Sequence, residues 1–155
     1  MKRVLQTITI SGLILMALAI FFAGCKKEKS DPNGKIKGTA SFPAGVSGDL
    51  SNAKVSIYTN YDNWLFNQPI KFVGAQGAGA SVTFEMTDVL PGNYYLDVWK
   101  DIDNSATWSS GDFVGWYGSG GLGSPSLTEF QVVGGQTVNM NIQMYIIAKG
   151  SILPK

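Results

Sequence analysis

The sequence predicts an all-β domain, an antiparallel β-sandwich of about seven strands, and three observations predict it. From Lys35 onward the apolar residues alternate in short runs. Turns rich in glycine or punctuated by proline separate those runs at short intervals. No window carries the 3.6-residue apolar repeat of an amphipathic helix. A domain spanning 36–155 can bury enough apolar surface to fold without disulfides.

Taken in order, Ile36–Phe42 and Ala53–Thr59 read as the first two strands, with Val55, Ile57 and Thr59 on one face. Ile70–Val73 is a shorter third. Ser81–Thr87 alternates strictly, placing Val82, Phe84 and Met86 inward and Thr83, Glu85 and Thr87 outward. Leu90-Pro91-Gly92-Asn93 joins a proline that presets φ to a glycine suited to positive φ, the signature of a type II turn. Tyr94–Trp99 follows, with Tyr94, Leu96 and Val98 on one face and Tyr95, Asp97 and Trp99 on the other. Leu127–Val133 and Gln136–Ile146 are the last two strands, and Gly134-Gly135 between them suits a tight hairpin. Met140, Ile142 and Met144 are expected to face Val82, Phe84 and Met86 across the core.

Three pieces of this order resemble the carboxypeptidase-regulatory-like sandwich domains of bacterial surface proteins. They are the opening strand Lys35-Ile36-Lys37-Gly38-Thr39, the strand Asn52-Ala53-Lys54-Val55-Ser56-Ile57-Tyr58, and the unit from Phe84 through Pro91-Gly92 to Leu96. The resemblance spans most of residues 35–146 and implies an Ig-like, transthyretin-like sandwich. It speaks for a scaffold and for no activity.

The N-terminus has a different composition. Met1-Lys2-Arg3 precedes a stretch without charge that ends in Phe22-Ala23-Gly24-Cys25, the layout of a signal peptide with small residues at its cleavage site. Ala23, Gly24 and Cys25 resemble the lipobox of bacterial lipoproteins, with Phe22 where leucine is usual. The resemblance implies a signal peptide over 1–24, cleavage before Cys25, and palmitate or a similar acyl chain together with diacylglycerol on Cys25. An uncleaved span is the competing reading, since Val4–Ala23 is about the 20 residues a bilayer needs. Cys25 sits at the lipobox offset and is the one cysteine in the chain, so lipidation accounts for a thiol that has no partner in an oxidising compartment. Two or more acyl chains give stable anchoring.

Residues 25–35 (Lys26, Lys27, Glu28, Lys29, then Pro32 and Gly34) read as a flexible tether. Lys26 stands where an aspartate would resemble an inner-membrane retention signal, which favours an outer membrane. The 12 basic and 11 acidic side chains nearly balance, and removing Lys2 and Arg3 leaves a mature chain with no strong field, so nucleic acid is not an expected partner.

The chain contains no histidine, and no arrangement of nucleophile, base and orienting group can be assembled from it, so no enzyme is predicted. The most specific polar pattern is Asp101 to Asp112, which carries oxygen-bearing side chains at positions 1, 3, 5, 7, 9 and 12 of twelve residues. That is similar to the ligand rhythm of an EF-hand calcium loop, in which alternate residues share a face around one hard cation. Asp101, Asp103, Ser105, Thr107 and Asp112 are the candidate Ca²⁺ ligands. Ala106 replaces the turn glycine, Asp112 replaces the bidentate glutamate, and the flanks are strands, so a true EF-hand is excluded. The competing reading is a polar loop whose side chains close turns on their own backbone.

Aromatic residues form a second cluster, Trp64, Phe66, Trp99, Trp108, Trp116 and Tyr117, several of them beside the aspartates. Exposed, Trp64, Trp99, Trp108 and Trp116 would make a carbohydrate-binding surface; buried, they are core. The sequence thus predicts a lipid-anchored protein of the cell envelope with a non-enzymatic binding or assembly role, its partner an envelope protein or, alternatively, a glycan. The apolar tail Tyr145-Ile146-Ile147-Ala148 with Ile152 and Leu153 is a candidate protein contact.

Overall fold

A computed structural model of the chain describes residues 32–151. The expected signal peptide, Cys25, the expected tether up to Asp31, and Ile152 and Leu153 lie outside the described residues. Ten strands and one short helix follow in order: β1 (Gly34–Ser41), β2 (Lys54–Tyr58), α1 (Tyr61–Leu65), β3 (Lys71–Gly74), β4 (Ser81–Val89), β5 (Gly92–Lys100), β6 (Phe113–Trp116), β7 (Gly118–Ser119), β8 (Ser126–Leu127), β9 (Phe130–Val132) and β10 (Thr137–Ile146). The fold class is the one expected, an all-β sandwich. β1 begins at Gly34, so the last two residues assigned to the tether belong to the domain.

Strand pairing runs β3-β2-β5-β6-β10-β1-β4, with β9 added to β5 and β7 paired to β8. The long strand β10 belongs to both layers. Its residues Thr137–Gln143 pair with β1, while Met144–Ile146 pair with β6. Where β10 passes between layers, Gly115 of β6 leaves room for it; a Cβ there would lie 2.8 Å from the Met144 sulfur. On the open side, Gln76 bridges to Thr83, and Lys71 Nζ donates to the carbonyls of Thr87 (2.7 Å) and Asp88 (3.0 Å). A lysine laid over strand carbonyls blocks edge-to-edge pairing with another chain.

The inter-layer core follows the alternation of the sequence. Ile36 and Ala40 of β1, Val82, Phe84 and Met86 of β4, and Met140, Ile142 and Met144 of β10 pack against Val55 and Ile57 of β2 and Leu96 and Val98 of β5. Each such side chain removed from water contributes on the order of 1.5–3 kcal/mol before the entropy of ordering is set against it. At one corner the Tyr94 hydroxyl donates to the Leu90 carbonyl (2.9 Å), which ties the turn after β4 to the start of β5.

Four expectations are corrected. β1 and β10 run parallel, so the sandwich is not wholly antiparallel. β4 and β10 flank β1 in one layer, so Met140 and Ile142 lie beside Val82, Phe84 and Met86 and do not face them. Gly134-Gly135 makes no hairpin: β9 pairs with β5, and the turn, with Gly135 at φ 74°, carries the chain to the other layer. Gly92 does not take the positive φ expected of it; the positive φ near this turn falls on Asp88 (54°), the penultimate residue of β4.

A second apolar cluster covers the outer face of β2, β5 and β6. It contains Tyr58, Trp64, Trp99, Trp108, Trp116, Val114 and Ile147. Two segments that are not strands supply its lid. α1 is capped by Asn60, whose side chain accepts from Asn63 N (2.8 Å), and the helix drops Trp64 onto the sheet; the loop after β5 drops Trp108 beside it. At five residues α1 is too short to leave an apolar period in the sequence.

Candidate functional site

The strand pairings give the sandwich a foot and a head. At the foot, Gly34 pairs with Val89, Gly92 pairs with Val132, and Gly135 N donates to Asn33 O, so the incoming chain meets these turns there. At the head, Lys100 pairs with Phe113, and the Asp101–Asp112 loop joins them. The nine residues of β5 separate the two ends by about 30 Å at roughly 3.3 Å per residue.

Carboxylate oxygens of Asp101, Asp103 and Asp112 lie within 4.8 Å of one another. Asp112 is fully buried and accepts from Ile102 N (2.9 Å), Ser109 N (3.0 Å) and the Trp99 indole (3.2 Å). Asp101 accepts from Ser105 N (3.1 Å) and Ala106 N (2.9 Å). Asp103 accepts from Ser105 N (3.0 Å) and Ser109 Oγ (3.0 Å). Hydrogen bonding from Ser105, and then from Ser109, holds the Asp103 carboxyl below its ordinary 3.8. Ser105 Oγ donates to the Thr107 carbonyl (2.9 Å), and Thr107 Oγ1 lies 3.4 Å from Ser105 Oγ. The five predicted ligands therefore share one loop. Ala106, at the place of the EF-hand turn glycine, has φ 60°, the left-handed conformation that the glycine adopts. Chemically, the loop offers clustered hard oxygens, and its own N–H groups already hold most of them.

Of the two readings of the tryptophans, the core reading holds and the exposed, carbohydrate-binding alternative does not. Trp64 is 0% exposed, and Trp99, Trp108 and Trp116 are each 5% exposed. Their indoles are core: Trp64 donates to Asp97 (3.1 Å), Trp99 to Asp112, and Trp116 to the Ser119 carbonyl (2.8 Å), while Trp108 stacks on Trp116 at 6.4 Å. Rings packed on one another have no face left for a sugar. Of the other two, Tyr117 packs edge-on to Phe130 and Phe66 is 68% exposed.

Asp97 was expected to point outward with Tyr95 and Trp99, yet it is buried under the second cluster. It accepts from the Tyr58 hydroxyl (3.1 Å) and the Trp64 indole. Burial, reinforced by the Asp97 charge, pushes the Tyr58 phenol well above its ordinary 10. No sequence signal separates such a buried aspartate from a solvated one, because its position in the alternation is an outward one.

Two concave features flank these groups. A cleft of about 160 Å³ opens between Leu65, Phe66 and Asn67 on one side and Trp99, Ala106 and Thr107 on the other. An open trough of about 450 Å³ lies over β1, β4 and β10, lined by Lys37, Thr39, Thr83, Glu85, Asn139 and Asn141, with Lys37 and Glu85 paired at 3.1 Å. Among the described residues no helix is long and apolar enough to cross a membrane.

Fold and site together define a β-sandwich with a hydrogen-bonded acidic loop at one end and its chain entry at the other. No protein-family model matches the chain, and no curated protein matches it. Among solved structures it is similar to GBS52, the minor pilin of the Gram-positive pathogen Streptococcus agalactiae, with a TM-score of 0.37 and 10% identity over 79% of this chain. The match covers 48% of the pilin, so the chain spans about half its length. The fold assignment rests on the strand pairings themselves.

Proposed function

We propose that this chain is a lipid-anchored protein of the cell envelope with a non-enzymatic binding or assembly role, its sandwich serving as a spacer that presents the Asp101–Asp112 loop away from the membrane. The observation that carries this reading is the polarity of the domain: the chain enters at the foot, and the loop caps the head. The lipobox-like Phe22-Ala23-Gly24-Cys25 supplies the anchor, and Lys26 favours an outer membrane. Palmitate labelling of the full chain tests the anchor. Label is expected in the wild type and absent from Cys25→Ser, and equal label in both refutes it.

The clustered carboxylates favour a second element of this reading, Ca²⁺ held as a structural ion by Asp101, Asp103, Ser105, Thr107 and Asp112. At a hundredfold excess over its dissociation constant such an ion adds about 2.7 kcal/mol, several degrees in melting temperature for a domain of this size. Melts with Ca²⁺, Mg²⁺ and chelator should show a Ca²⁺-specific rise that Asp101→Asn/Asp103→Asn abolishes. A wild type that melts identically in all three reduces the loop to a polar turn. The glycan alternative is not retained, because its four indoles are buried.

A further inference from the structure

Two large apolar residues are exposed at the foot of the sandwich, on the turns that flank the chain entry. Leu90 is 67% exposed at the tip of the turn after β4, and Val133 is 40% exposed at the tip of the turn after β9. The two turns stand on either side of the point where the chain enters, since Gly34 pairs with Val89 and Asn33 accepts from Gly135 N. Two exposed apolar residues thus lie at the end that the N-terminal segment leaves, and the Asp loop lies at the other.

From this placement we infer that Leu90 and Val133 rest on the lipid surface to which the chain is attached, so that the foot docks on the bilayer and the domain stands upright. The inference rests on the proposed anchor at Cys25. Gly34 is nine residues beyond Cys25, and at no more than about 3.6 Å for each step the foot stays within about 32 Å of the acyl chains. Two apolar side chains would not bind a free protein to a membrane. Tethering changes this, because the second contact becomes intramolecular at a high effective concentration, and a weak surface then suffices. The ammonium groups of Lys35 and Lys71 suit a headgroup layer, and Asp88 and Glu129 are the carboxylates of this end that would face it.

The test uses the full lipidated chain in phosphatidylethanolamine/phosphatidylglycerol vesicles. Leu90→Cys, Val133→Cys and, at the head, Thr107→Cys are each labelled with nitrobenzoxadiazole; lipidation consumes the Cys25 thiol, so the introduced cysteine is the reactive one. Blue-shifted emission and several-fold weaker iodide quenching are expected at 90 and 133 relative to 107. Flotation of the same samples reports the anchor independently. Protein that floats with its vesicles while all three labels quench equally overturns the foot contact and leaves the anchor standing. Protein that fails to float overturns both. Protection at 90 and 133 that persists in detergent and grows with protein concentration assigns the patch to a second copy of the chain and also overturns the inference.

Discussion

The two apolar clusters on either side of the β2-β5-β6 layer are built by different means. Between the layers the core is largely aliphatic and methionine-rich, and strands supply most of it: Ile36, Val55, Ile57, Leu96, Ile142 and Met144 are all fully or almost fully buried, with Phe42, Leu50 and Ala53 added from the segment between β1 and β2. On the outer face the cluster is largely aromatic, and Trp64 of α1 and Trp108 of the loop after β5 cover it. Its polar atoms are also different in kind. Asp97 and Asp112 are buried there, each held by an indole N–H and by further donors. A carboxylate stripped of water is tolerated only when its oxygens are bonded. The comparison suggests that the inner cluster determines the fold, while the outer one fastens the head loop to it.

The largest effect should come from opening the outer cluster. Trp64→Ala removes a fully buried indole and the donor to Asp97, and is expected to destabilise by about 3–5 kcal/mol in a urea melt. Leu96→Ala in the inner cluster should cost about 2–5 kcal/mol. Amide exchange separates the two. Trp64→Ala should speed exchange in residues 101–112 far more than in β1 and β4, whereas Leu96→Ala should raise it throughout. Equal exchange profiles for the two variants would mean that the clusters form one cooperative unit.

Asp112→Asn probes the fastening itself. It keeps the volume but replaces a charged acceptor of three N–H bonds with an amide, at an expected loss of about 1–3 kcal/mol. One amide oxygen cannot serve both sides, so either Ile102 N or the pair Ser109 N and Trp99 indole meets an NH2 group, and the near-ultraviolet dichroism of the tryptophans should change with the local rearrangement. Tyr58→Phe should cost less, about 0.5–1.5 kcal/mol at neutral pH. Since the folded protein raises the Tyr58 phenol above its ordinary 10, that contribution is complete below pH 10 and is lost as pH rises further. The wild type should therefore lose stability faster than Tyr58→Phe in melts above pH 10.

The inner cluster was legible in the sequence because it obeys one rule. Val82, Phe84 and Met86 alternate with Thr83, Glu85 and Thr87, and a period of two can be read without knowing the partner strand. What period two cannot say is which strand lies alongside, and there the expectations failed: β9 joins β5, and β1 lies parallel to β10. The outer cluster was not legible for a related reason. Asp97 and Trp99 do point away from the inter-layer core, as their alternation requires, but whether that face meets water depends on α1 and the loop, which carry no periodic pattern. Of the candidate site, the spacing of Asp101, Asp103 and Asp112 brought out the convergence of the carboxylates. It did not bring out that Asp112 is buried under Trp99, because a side chain's burial is a property of what folds over it.

The smallest effect concerns the exposed acids of the head. Asp49 accepts from Ser51 Oγ (2.6 Å), Gly79 N (2.8 Å) and Ser51 N (3.0 Å), with Lys100 Nζ at 3.7 Å. These bonds, the one from the Ser51 hydroxyl foremost, hold its carboxyl far below the ordinary 3.8, and Asp103 is lowered by its own serine bonds. A depressed carboxyl contributes stability that is present above its ordinary value and is lost as pH falls through the folded one. Both groups are solvent-exposed, so screening limits the contribution of each. Carbon-13 titration of the side-chain carboxyls from pH 6 downward should place both midpoints below 3.8, Asp49 lower than Asp103. In melts below that pH, Asp49→Asn should flatten the acid limb more than Asp103→Asn does. The reverse order would mean that the three-carboxylate loop, and not the bonds from Ser51 and Gly79, dominates the acid response of the head.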